Sequence, residues 1–178
     1  MRVIAGRFGG RVLSAPSGRA TRPTGDRVRE AVFSMLGPLD GVVLDLYAGT
    51  GALGIEALSR GAERAVLVER DPRAVTALRA NLDALGLGAD EAEVRPVEAR
   101  SALRNALARA EAYDLVFLDP PYRHAAALGD ELGGALPGLL APGARIVCES
   151  DRRAPLVLDL PRTHHRRYGD TLISIHTA

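Results

Sequence analysis

The stretch Val43-Leu44-Asp45-Leu46-Tyr47-Ala48-Gly49-Thr50-Gly51-Ala52-Leu53-Gly54 passes from an apolar run through a glycine turn into a helical pattern. Gly49, Gly51 and Gly54 satisfy G-x-G-x-x-G, a spacing that lets backbone approach a ligand closely. Glu69 follows 20 positions after Gly49, at the end of the next apolar run, where a carboxylate can accept hydrogen bonds from ribose hydroxyls. Strand, turn, helix, second strand and terminal acid in register predict a nucleoside site, and dinucleotides use the same pattern. Asp45 separates the candidates. It stands before the glycines, where its charge suits a methionine-like ammonium and would repel a pyrophosphate seated on the helix N-terminus. These features favour S-adenosylmethionine over NAD, with Gly49 and Gly51 admitting the amino-acid tail and Glu69 holding the ribose.

Outward from this loop, short apolar runs alternate with helical patterns from about residue 40, the signature of a parallel sheet covered by helices. The predicted strands are Val42 to Asp45, Ala65 to Glu69, Ala92 to Val97, Tyr113 to Asp119 and Ala144 to Glu149, with four helical stretches between them. Asp71-Pro72 opens one helix and Gly86 can end it in the left-handed conformation. Small residues at three-and-four spacing from Ala99 to Ala110 mark another. Two strands joined around Gly169-Asp170 predict an antiparallel hairpin closing the sheet edge, which makes seven strands, most of them parallel. Before the repeat, Val3 to Ala5 and Arg11 to Leu13 look like a small β-hairpin. A Pro/Gly/Arg-rich loop and a helix from about Asp26 to Leu36 follow it, with Asp26 as its cap and Gly37-Pro38 as its stop. The organisation expected is one α/β domain over 1–178, in which 1–25 form a basic hairpin and arm and 26–178 the core.

Composition sets the outer bounds. The chain has 178 residues, 47% hydrophobic and 25% charged, enough apolar side chain for a core without a disulfide or metal staple. A single cysteine, Cys148, and the lack of a charged-then-apolar leader lead to the expectation of a reducing cytoplasm. No apolar run approaches a membrane span, so a soluble chain is expected. The net charge of +1 conceals an asymmetry, since residues 1 to 30 carry seven arginines against two acids. Every basic residue other than histidine is arginine, whose guanidinium grips phosphate bidentately and stacks on bases.

A second loop carries chemistry. Asp119-Pro120-Pro121-Tyr122 follows the apolar run Leu115 to Leu118, and ligands of open parallel sheets sit outside the carboxyl ends of strands, so it should face the crevice of Asp45 and Gly49. Its prolines remove two N–H donors and leave carbonyls and a carboxylate as acceptors. Such a cluster suits an exocyclic amine, a poor nucleophile that must be aligned before it can be methylated. Positioning can supply roughly 7–11 kcal/mol, against about 3–5 kcal/mol for a general base. Asp119 is therefore assigned to orienting the amine and later accepting its proton, and Tyr122 to stacking the extruded base.

Together these residues resemble class I S-adenosylmethionine-dependent methyltransferases of Rossmann-like fold, and the Asp-Pro-Pro-Tyr tetrapeptide is similar to that of amino-group methylases of nucleic acid. A closer resemblance is to the RsmD-type 16S rRNA guanine-N2 methyltransferases. It is carried by Arg2 to Gly6, Arg22-Pro23-Thr24, Asp26 to Glu30, Asp45 to Gly54, Asp119 to Tyr122 and Tyr168 to Thr171. The resemblance implies transfer to N2 of guanine 966 in an assembled or assembling small ribosomal subunit, catalysed through Asp119, Pro120, Pro121 and Tyr122. It implies a cofactor site of Asp45, Tyr47, Ala48, Gly49, Gly51, Glu69, Arg70, Glu98 and Ala99. It further implies RNA contacts from Arg7, Arg11, Arg22, Thr24, Arg27 and Arg29, in a monomer without metal or membrane. Glu98 departs from the Asp or Asn usual before that alanine. The alternatives are an amino methylase of another nucleic acid at adenine N6 or cytosine N4, an NAD-dependent oxidoreductase, and a noncatalytic RNA-binding assembly factor. Cys148 in its apolar strand reads as a small buried hydrophobe and no zinc-ligand spacing is present.

Overall fold

The computed structural model describes residues 1–15, 25–120 and 132–178. Eleven elements frame the site: α1 (Asp26–Leu36), β1 (Val42–Asp45), α2 (Ala52–Ser59), β2 (Arg64–Val68), α3 (Pro72–Leu85), β3 (Ala92–Arg95), α4 (Ala99–Ala108), β4 (Tyr113–Leu118), β5 (Leu140–Asp151), β6 (Arg162–Tyr168) and β7 (Thr171–Thr177). The strands form one seven-stranded sheet in the order β3-β2-β1-β4-β5-β7-β6. β3 through β5 are parallel, and β7 pairs antiparallel with both β5 and β6. The predicted α/β sheet with its antiparallel hairpin is the architecture observed. Strand order reverses between β1 and β4, and such a switch point opens a crevice outside the carboxyl ends of those two strands.

Side-chain alternation sorts the core into two layers. Val43, Ala65, Leu67, Leu115, Phe117, Val147 and Ile173 face the layer that also holds Val32, Phe33, Ile55 and Leu78. Leu44, Val66, Val116, Leu118, Ile146 and Cys148 face the other, which holds Leu103, Ala106, Leu136 and Leu158. Strands covered on both faces, as β1, β2 and β4 are, bury nearly every side chain, which is why they read as apolar runs. Local signals set the helix ends where chemistry allows. The Asp71 side chain accepts from the Arg73 N–H at 2.9 Å, Pro72 takes the first helical position, and Gly86 closes α3 at φ 69°. Burial pushes the Cys148 thiol up to about 12, the behaviour of a buried hydrophobe.

Three local expectations change. Asp26 does not cap α1; Gly25 occupies that position without a side-chain bond, and the Asp26 carboxylate pairs with Arg29 at 3.1 Å instead. The N-terminal hairpin is present but short: around one bridge, Arg2 with Val12, the Val3 N–H donates to the Arg11 carbonyl and the Leu13 N–H to the Met1 carbonyl, both at 2.9 Å. Beyond it the Ile4 and Ala5 N–H groups donate to the Glu56 carboxylate at 2.7 and 3.1 Å, so α2 takes the donors that a strand partner would have used. Strand β3 stops at Arg95, and β5 runs from Leu140 to Asp151, longer than predicted. The predicted helical stretch between β4 and β5 lies mostly outside the described residues. Among the described residues no helix is long and apolar enough to cross a membrane.

Candidate active site

β1 delivers Asp45 to the crevice fully buried, at 1% exposure. Its Oδ2 accepts from the Gly54 N–H at 3.2 Å, while Oδ1 has no hydrogen-bond partner among the described residues. Burial pushes its pKa up to about 7, the Gly54 and Tyr47 N–H groups pull it back, and the charge of Glu69 adds to the rise. A buried carboxylate oxygen without a partner is costly. An ammonium placed beside it would satisfy it.

The three glycines of the turn do different work. Gly51 (φ 88°) starts α2, and a Cβ there would lie 2.4 Å from Leu78 Cδ1. A Cβ on Gly54 would lie 2.2 Å from Leu67 Cδ2, so this glycine lets α2 pack on β2. Gly49 (φ 55°) has nothing within 4 Å of the place a Cβ would occupy. Its bareness serves the left-handed turn and leaves open space beside the backbone, whereas the other two are needed for packing.

Glu69, just past β2, ties the loops together. Its Oε2 accepts from the Gly49 N–H at 2.9 Å, and its Oε1 from the Arg70 and Asp71 N–H groups at 2.7 and 2.8 Å. Oε2 retains acceptor capacity for a hydroxyl. Arg70 and Glu98 form an exposed ion pair at 3.3 Å on the flank. Glu98 precedes α4 without capping it, and Ala99 begins the helix, where backbone N–H groups lack intrahelical partners.

Register places the second loop. Asp45 pairs with Leu67 on β2 and with Phe117 on β4, and Phe117 pairs with Val147 on β5. Two residues further, where side chains return to the same face, stand Glu69, Asp119 and Glu149 in one row across the sheet, whereas Tyr47, in the turn after β1, packs against the other layer. Asp45 and Asp119 thus border a shared crevice. Asp119 is half-buried and Pro120 buried. Burial, then the charges of Glu149 and Asp45, hold the Asp119 carboxyl well above the usual carboxylate range. Pro121 and Tyr122 lie outside the described residues, as do Arg22 and Thr24.

The predicted RNA contacts fare differently. Arg29 cannot grip phosphate: it is 0% exposed, bonds to the Arg2 carbonyl and to Asp26, and lies 3.8 Å from Glu56. Burial lowers its pKa, with Glu56 and Asp26 opposing. Arg7 pairs with Glu91 and sits 4.5 Å over the Phe8 ring. Arg11 donates to the Ala84 carbonyl at 2.9 Å, in the last turn of α3. Arg27 is exposed. Sequence reading missed two acids. Glu56, 0% exposed, receives Ile4, Ala5 and Arg60, the last at 2.6 Å. A lone charge inside the apolar helix Ala52-Leu53-Gly54-Ile55-Glu56-Ala57-Leu58 was its signal. Glu149, buried at the end of β5, was hidden inside an apolar run and emerges only through pairing with β4.

The family described as Conserved hypothetical protein 95 matches residues 1–177, and relatives at full length carry methyltransferase names. The chain belongs to the RsmD family of methyltransferases. YlbH of Bacillus subtilis is 41% identical over 186 residues, covering 99% of this chain and 98% of that protein. Ribosomal RNA small subunit methyltransferase D of Haemophilus influenzae is 35% identical over 161 residues, covering 88% and 82%. The solved structure of yhhF from Escherichia coli superposes with a TM-score of 0.83 at 35% identity, over 99% of this chain and 97% of that one. At the level of fold alone, SMU.776, solved in complex with SAH, matches with a TM-score of 0.66 at 14% identity, over 77% and 45%. The shared crevice of the RsmD family member is therefore the place to seek its methyl-transfer chemistry.

Proposed function

We propose that this RsmD family member transfers a methyl group from S-adenosylmethionine to the exocyclic N2 of a guanine in 16S rRNA of the small ribosomal subunit, at the position corresponding to guanine 966. The unpartnered Asp45 Oδ1, buried at the sheet's switch point, carries this reading, and the open space at Gly49 supports it. That oxygen accepts the methionyl ammonium, Gly49 admits the tail, and Glu69 Oε2 receives a ribose hydroxyl. Ala99 N–H and Glu98 face the base, with Arg70 fixing the Glu98 carboxylate. When bound, the sulfonium supplies an electrophilic methyl. Asp119 accepts an N–H of the target amine and holds its lone pair toward that methyl, with the Pro120 carbonyl as a second acceptor. After transfer the nitrogen is cationic and sheds a proton readily. An aspartate held above the ordinary range is a better acceptor for it than a solvated one. The names of the Haemophilus influenzae relative and the family's methyltransferase character support the ribosomal substrate.

Small subunits lacking the modification, incubated with labelled donor and digested to nucleosides, test the reading. N2-methylguanosine is the expected product, and it disappears with Asp119→Ala. Methylated adenine N6 or cytosine N4 would assign a different acceptor, and binding of NAD without response to S-adenosylmethionine would end the proposal.

A further inference from the structure

Strand β6 reads Arg162-Thr163-His164-His165-Arg166-Arg167-Tyr168 and contains no acid. It forms one edge of the sheet, and Arg162, His165, Arg166 and Arg167 are exposed. Of the arginines that sequence reading offered to nucleic acid, Arg7 is tied to Glu91, Arg11 to the Ala84 carbonyl and Arg29 to the buried Glu56, while Arg27 is exposed. The β6 arginines are not tied in this way: among the described residues no carboxylate pairs with Arg162, Arg166 or Arg167, whose own polar contacts run to the His165 and Gly169 carbonyls. Charges on an edge strand also deter edge-to-edge pairing. One or two suffice for that, and here three arginines and two histidines fill five of the seven positions.

Register fixes where this edge lies. Glu149 pairs with Ile173 on β7, and Ile173 pairs with Arg166 on β6. Arg166 therefore extends the row of Asp119 and Glu149 on the same face. Three strand spacings of about 4.8 Å separate it from Asp119, about 14 Å in all. Stacked nucleotides advance about 3.4 Å each along a strand, so that span is about four nucleotides. On the opposite face, Arg162 and His165 line a cavity of about 530 Å³ together with Arg152, Leu158 and His176, and among the described residues no carboxylate lines it.

Resting on the reading of the chain as an rRNA methyltransferase, we propose that the β6 edge is a phosphate rail: Arg166, on the crevice face, grips the RNA backbone a few nucleotides from the target base, and Arg162 and Arg167, which pair with His176 and Leu172 and so lie on the other face, grip backbone that passes around the edge. It is a contact surface separate from the N-terminal arm. The triple variant Arg162→Gln/Arg166→Gln/Arg167→Gln tests it by binding to unmodified small subunits between 50 and 200 mM salt. Each lost phosphate contact removes about 0.7–0.9 from the slope of log affinity against log salt. The triple variant should show a slope shallower by about 2 and at least tenfold weaker binding at the lower salt, with an unchanged thermal shift on adding S-adenosylmethionine. Arg79→Gln/Arg104→Gln, exposed on α3 and α4, should leave the slope as it is. Wild-type slope and affinity in the triple variant, while wild type methylates the subunits, would overturn the rail and leave the function standing. Loss of the donor's thermal shift in the triple variant would show a structural role and overturn it as well. Wild-type protein that neither binds nor methylates subunits would overturn the functional reading, and the rail with it.

Discussion

Asp45 sits where folding and binding pull in opposite directions. Its pKa in the folded chain is raised to about 7 by burial, against about 3.9 in an unfolded chain. A raised pKa contributes stability that is complete below pH 4 and is lost as pH rises toward 7. The difference corresponds to about 4 kcal/mol, an order-of-magnitude figure for a fully buried group. Asp45→Asn should therefore melt higher than wild type at pH 8, with the gap closing as pH falls from 7 to 4, and should not bind S-adenosylmethionine. Thermal melts across pH and calorimetric titration check both halves. In the wild type the ammonium binds the ionised carboxylate, so donor affinity should fall about tenfold per pH unit below 7, with proton release measurable in buffers of different ionisation enthalpy. Glu56 presents the reverse case. It neutralises the buried Arg29 and receives two backbone donors, and breaking a buried pair by removing one partner costs about 3–5 kcal/mol. Glu56→Gln should lower the unfolding free energy by about that amount in denaturant titration, and no phosphate contact disappears with Arg29.

At the scale of elements, the glycine turn between β1 and α2 separates open space from packing space. Gly49→Ala meets no atom within 4 Å, so it should cost only the strain of a left-handed alanine, about 1–2 kcal/mol, while filling the open space at the turn. Folding should survive and donor affinity should drop. Gly54→Ala strikes the Leu67 side chain and should lower the melting temperature more than it lowers the affinity of the remaining folded protein. Melting curves with and without S-adenosylmethionine distinguish the two. The glycine spacing was legible in the sequence because the backbone turn demands it locally. Which glycine borders open space was not, because that depends on Leu78 of α3 and Leu67 of β2 closing over the others. The cap of α3 was legible for the same local reason, whereas Asp26 in an equivalent setting turned to Arg29.

Across the whole molecule, the switch between β1 and β4 gathers Asp45, Gly49, Glu69 and Asp119 on one rim although 74 positions separate the two aspartates. A ligand that binds this rim only in the folded state raises stability by mass action, about 2.7 kcal/mol at a hundred times its dissociation constant. S-adenosylmethionine should raise the melting temperature by several degrees and NAD should not, read by differential scanning calorimetry. By itself the sequence determined the α/β alternation, the antiparallel closing hairpin and the glycine turn that leads from β1 into α2. Each is written in residues whose conformations and polarity act within one strand, turn or helix. Tertiary structure decided which charges meet solvent and which meet each other. Arg29 was drawn into the core by Glu56, Glu149 came beside Asp119 through strand pairing, and the cations of β6 were left facing outward. Burial and partnership arise from contacts between elements far apart in the chain, and no local pattern of residues encodes them.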